Sequence, residues 1–70
     1  MTLPQTFQIG DQVRMRRTAN GLIWGLSGTV VRVLAATDCC DVQFEGYPWP
    51  RLVYGHDIKL IERARTLGQS

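Results

Sequence analysis

The chain has 70 residues, 44% of them hydrophobic and 20% charged, with two each of Trp, Tyr and Phe and a formal net charge of +2. A chain of this length makes one small domain, which buries only about 60% of the surface its unfolded form exposes. So thin a core argues against a deep, water-excluded cleft lined with charged catalytic groups. The mild positive charge falls short of what would by itself announce a nucleic-acid binder.

The kind of cation is more informative than the net charge. Seven of the eight basic residues are Arg and only Lys59 is Lys. Arginine carries a planar fork of donors suited to phosphates, carboxylates and aromatic faces. No apolar stretch approaches the roughly 18–20 residues needed to cross a bilayer. The opening Met1-Thr2-Leu3-Pro4-Gln5 has neither the basic nor the apolar region of a signal peptide. A cytoplasmic chain with no membrane partner is therefore expected. Cys39 and Cys40 agree with this: adjacent cysteines pair only through a strained small ring, so two free thiols are expected. Two vicinal sulfurs supply at most half a zinc site, so neither metal nor cofactor is expected.

In chain order, residues 1–6 read as a flexible leader. Over Val13-Arg14-Met15-Arg16 apolar and cationic residues alternate, the period-two pattern of a half-buried strand. Val13 and Met15 should face the core, with Arg14 and Arg16 in water; Gly10-Asp11 before them is turn chemistry. Thr18–Ser27 reads as a long first loop, with a turn at Asn20-Gly21 and a half-exposed or exposed Trp24.

Gly28–Leu34 is the strongest strand, rich in β-branched residues. Its alternation fails at Val30-Val31, which predicts a bulge. Ala35–Cys40 reads as the return, with a turn at Thr37-Asp38, and Asp41–Glu45 as a third strand burying Val42 and Phe44. Tyr47-Pro48-Trp49-Pro50 cannot be a central strand, because two prolines remove donors, and it reads as a rigid aromatic hairpin tip. Arg51–Tyr54 is a fourth strand, Gly55–Asp57 a turn of 3₁₀ helix and Ile58–Ile61 the last strand. Residues 63–70 read as a flexible tail. The expected fold is all-β: a small five-stranded barrel over residues 7–62 with a short 3₁₀ turn before the last strand.

Ile9-Gly10-Asp11-Gln12-Val13-Arg14 followed by Gly25-Leu26-Ser27-Gly28-Thr29-Val30 resembles the KOW-type opening of SH3-like barrels. Asp41-Val42-Gln43-Phe44 through Asp57-Ile58-Lys59-Leu60-Ile61-Glu62 is similar to their close. Whole chains of this kind include the variable subunit of ferredoxin–thioredoxin reductase and the PsaE subunit of photosystem I. The resemblance implies an SH3-like barrel and leaves function open. Type B dihydrofolate reductases are also short SH3-like chains with a similar Gly-Asp-x-Val-Arg opening, and act as tetramers. Their Val-Gln-Ile-Tyr run stands here as Arg51-Leu52-Val53-Tyr54, so reductase activity is not expected.

Nothing in the chain assembles a catalytic set. His56 beside Asp57 lacks a nucleophile or metal, and Asp57 is expected to cap the 3₁₀ turn. A binding module is the better expectation, with two candidate surfaces. The first is the tip, where Trp24, Tyr47, Pro48, Trp49 and Arg51 would dock another protein, since Tyr and Trp dominate binding hot spots and prolines limit the entropy lost on docking. The second is an arginine face of Arg14, Arg16, Arg17 and Arg32, which would hold a nucleic acid with Trp24 stacking on a base. The tip is the favoured surface, and it could equally serve contact between copies of the chain.

Overall fold

The computed structural model describes residues 7–64. Five strands form one antiparallel sheet: β1 (Gln12–Met15), β2 (Ser27–Leu34), β3 (Cys39–Phe44), β4 (Arg51–Tyr54) and β5 (Ile58–Glu62), in the order β4-β3-β2-β1-β5. One 3₁₀ turn, Ala35–Thr37, precedes β3 and another, Gly55–Asp57, introduces β5. The described residues contain no α-helix. The arrangement is consistent with a small β-barrel, and the all-β expectation holds.

Period-two alternation puts one face of each strand inside. Val13 and Met15 of β1, Val30 of β2, Cys40, Val42 and Phe44 of β3, Val53 of β4 and Ile58 of β5 meet in one core, joined by Phe7 and Leu22 from outside the strands. Each such side chain contributes roughly 1.5–3 kcal/mol on full burial. The register of β2 on β3 shifts between Val30 and Arg32, where the alternation broke in the sequence. The extra residue, Val31, is left exposed.

The third strand corrects the sequence reading. It begins at Cys39, so both cysteines lie in β3 rather than in the return. The 3₁₀ turn Ala35–Thr37 ends on Asp38, which takes a left-handed backbone (φ 56°), and pairing resumes at the next residue. Both thiols are free and buried.

Two positions set tight conditions on the fold. Asp11 is completely buried, and its carboxylate accepts three hydrogen bonds: from the Gln8 N–H (2.8 Å), from Arg63 (3.0 Å) and from the Ala64 N–H (2.7 Å). Of the segment assigned to the tail, Arg63 and Ala64 are thus bonded to the turn before β1. The remainder, 65–70, and the leader 1–6 lie outside the described residues. Gly28 is the second position: a Cβ there would lie 2.6 Å from Val42 Cγ1, 2.8 Å from the Gln43 carbonyl oxygen and 2.9 Å from Phe44 Cδ1.

Both conditions are testable by urea denaturation followed through tryptophan emission. Gly28→Ala should lower stability by ~1–3 kcal/mol, the usual cost of overpacking a filled interior, because one of the three obstructing atoms is backbone. Asp11→Ala should cost ~2–3 kcal/mol by leaving its donors without their acceptor, with Asp11→Asn recovering part of the loss. An unchanged midpoint in either variant would contradict the packing described.

Candidate nucleic-acid interface

The loop between β1 and β2 is built from two turns. Ala19 and Leu22 exchange backbone hydrogen bonds (3.0 and 2.8 Å) across Asn20 and Gly21, both with positive φ (55° and 78°). This is the type I′ arrangement that an Asn-Gly pair favours. It drops Leu22 into the core and sends the chain outward at Ile23 and Trp24. The second turn closes from Leu26 N–H to the Ile23 carbonyl (3.2 Å), with Gly25 at φ 89°. Trp24 therefore occupies the outer corner of a type II turn, which requires a residue tolerant of positive φ immediately after it. Its own N–H donates to the Thr18 hydroxyl (3.0 Å), and Gly25 N–H donates to the Met15 carbonyl (2.9 Å). The backbone under the indole is fixed at both ends, while Trp24 remains 70% exposed.

Trp24 stands at the margin of an open groove of about 720 Å³ along β1 and β5. Arg14 and Arg16 enter it from β1 and the residues just beyond it, and Lys59 from β5. Arg14 and Lys59 are cross-strand partners, with Met15 opposite Ile58 at the next step. Exposed Ile61, on the same face of β5 as Lys59, supplies an apolar wall, while Met15 and Leu60 border the groove from the core side. No lining residue is acidic.

The other cations among the described residues are engaged elsewhere. Arg17 Nε lies 3.5 Å from Asp57, Arg32 Nε 3.0 Å from Asp41, and Arg63 3.0 Å from Asp11. The face expected from Arg14, Arg16, Arg17 and Arg32 is thus divided. Arg32 sits beyond the bulge, roughly 16 Å along β2 from the residue that pairs with Arg14, and it faces β3. Arg17 turns to Asp57, which is buried. The sequence reading missed Lys59, whose place beside Arg14 follows from the β1–β5 register.

The aromatic-proline tip is divided as well. Tyr47 turns inward, its ring edge-on to Phe44 at 6.3 Å, and its carbonyl accepts from Gln43 (2.6 Å). Arg51 lies over the Tyr47 ring at 5.7 Å and donates to the Asn20 carbonyl (3.1 Å), tying the base of the tip to the first loop. Trp49 stays 73% exposed, flanked by exposed Pro48 and Pro50. Both tryptophans are therefore available at the surface.

Asp57 does not cap the 3₁₀ turn, contrary to expectation: the turn has no side-chain cap. Its carboxylate instead faces Arg17 and His56, whose Nε2 is also 3.5 Å away, and His56 stacks on Tyr54 at 5.3 Å. No group of three His, Cys, Asp or Glu among the described residues could hold a metal. None of their helices is long and apolar enough to cross a membrane. Comparison with known proteins adds no relative: no family model matches the chain, and no curated protein matches it.

Burial, reinforced by the charges of Asp38, the Cys39 thiol, Asp11 and Asp41, pushes the Cys40 thiol above its ordinary range. The protonated form is favoured, so nucleophilic thiolate is scarce at neutral pH. In a Cys39→Ser variant the remaining thiol should react with a disulfide reagent at pH 8 at least about 100-fold more slowly in the native state than in urea. Equal rates would show that Cys40 is accessible and ionised.

Proposed function

We propose that the chain is a non-catalytic binding module of the SH3-like kind that takes a nucleic acid in the groove along β1 and β5. Strand order, the 3₁₀ turn before the last strand and the Gly-Asp and Gly-x-x-Gly positions support the SH3-like reading. One observation carries the function. Arg14, Arg16 and Lys59, which have no carboxylate partner within 4 Å among the described residues, converge on the same groove as an exposed tryptophan. Cations already paired at a distance add little to an anion's binding, whereas an uncompensated cluster attracts phosphate and releases its counterions. A groove without a carboxylate adds no local repulsion.

A second reading, docking of another protein at the tip, is favoured by the exposure of Trp49 on its proline-flanked turn. The internal engagement of Tyr47 and Arg51 leaves that surface smaller than the sequence suggested.

Fluorescence anisotropy with a mixed-sequence oligonucleotide tests the proposal. Log K should fall linearly with log salt, with a slope of about −2 to −3 for three groove cations. Replacing Arg14, Arg16 and Lys59 by Ala should flatten the slope toward zero, while Arg32→Ala should leave it unchanged. Absence of retention at low salt would end the nucleic-acid reading. Retention that falls with Trp49→Ala rather than with the groove changes would move the site to the tip.

A further inference from the structure

We infer that the groove selects a single strand over a duplex, with one base stacked on Trp24 and neighbouring phosphates held by Arg16, Arg14 and Lys59. This rests on the nucleic-acid reading above and goes beyond it by naming the form of the ligand.

Three features of the site point the same way. The first is the ring. Trp24 stands out from its turn on a fixed backbone, 70% exposed, and a flat apolar face recovers most when it meets another flat face. Bases in a duplex already stack on their neighbours and offer none, whereas an unpaired base offers one at little cost. The second is the wall. Ile61 lines the groove on the same face of β5 as Lys59, and an exposed apolar side chain there suits a base and sugar rather than a bare polyanion.

The third is cation spacing. Arg14 and Arg16 are two residues apart, roughly 7 Å along an extended chain, and Arg14 and Lys59 are cross-strand partners, with Cα atoms roughly 5 Å apart. Both steps are short enough for the three long side chains to meet neighbouring phosphates of one strand. A duplex would instead present two rows of phosphate across a groove about 12 Å wide, whereas the cations here form one compact bent cluster, with Arg16 along the chain from Arg14 and Lys59 across from it. The groove is open along its length: Arg14, Arg16, Lys59 and Ile61 are all exposed, so a polymer can enter and leave it as a mononucleotide pocket would not allow.

The test uses the full chain carrying Trp49→Phe, which leaves Trp24 as the tryptophan reporter. A single-stranded oligonucleotide should quench Trp24 emission. A duplex of the same sequence, an abasic strand with the same phosphates and a mononucleotide should each bind at least about 10-fold more weakly and leave the emission unchanged. Trp24→Ala, made in the chain that retains Trp49 and followed by anisotropy, should weaken single-strand binding about 10-fold or more. It should leave abasic-strand binding and the thermal midpoint in place, and Trp24→Phe should recover most of the loss. Duplex or abasic binding as tight as the single strand, or a mononucleotide that saturates Trp24 with the oligomer's affinity, would overturn the inference while the nucleic-acid reading stands. No binding to any nucleic acid would overturn both.

Discussion

A single buried carboxylate holds the two ends of the described chain against the middle of the sheet. Asp11 accepts from the turn before β1 through Gln8 and from the exit of β5 through Arg63 and Ala64, while its backbone carbonyl accepts from Val30 of β2 (2.9 Å). β1 has only four residues and must pair with β2 on one side and β5 on the other. A strand so short does not secure its own register, and a one-residue slip would exchange its inner and outer side chains. Asp11 removes that freedom at the point where all three strands meet. Burying a charge is costly unless its lone pairs are satisfied, and here three donors satisfy them.

The groove depends on this registry. Arg14 faces Lys59 only because β1 pairs with β5 beyond the irregularity between Gln12 and Val13. If Met15 lost its place opposite Ile58, the cations would turn toward the core and the apolar side chains toward water. The turn carrying Trp24 is anchored to the same strand, since Met15 exchanges backbone hydrogen bonds with Leu26 and Gly25 (2.8 and 2.9 Å). Ring and cations are therefore set by one short element, and the carboxylate that fixes it lies four residues from Met15.

What the sequence revealed was whatever local pattern controls. Alternation over Val13–Arg16 placed the side chains of β1, the failed alternation at Val30-Val31 marked the bulge, and Asn20-Gly21 marked the turn that buries Leu22. What it concealed was non-local. Lys59 reads as one more outward residue of the last strand until antiparallel pairing sets it beside Arg14. Arg32 looks like a companion of Arg14 until the bulge and Asp41 turn it toward β3. Asp57 has the composition of a cap, yet its carboxylate faces Arg17 and His56, which only tertiary packing brings near. Cys39 reads as part of the return because nothing local shows that the 3₁₀ turn and one left-handed residue, Asp38, close the turn before it. Positions of strands were legible; the pairing of charges, which decides the site, was not.

Pairing also explains how so small a domain keeps an apolar ring at its surface. β5 is an edge of the sheet, and an unprotected edge invites pairing with other chains. Lys59 and the irregular register near Glu62 disfavour that pairing, so the cations that line the groove also protect the strand beside it. Trp24 is held by its backbone rather than by its side chain, through Thr18, Met15 and the positive φ of Gly25. Its ring thus stays available without the loop having to order on contact, which lowers the entropic cost of binding. A thin core cannot hold a cavity open by bulk, but two tight turns and one strand register can hold a ring beside three charges.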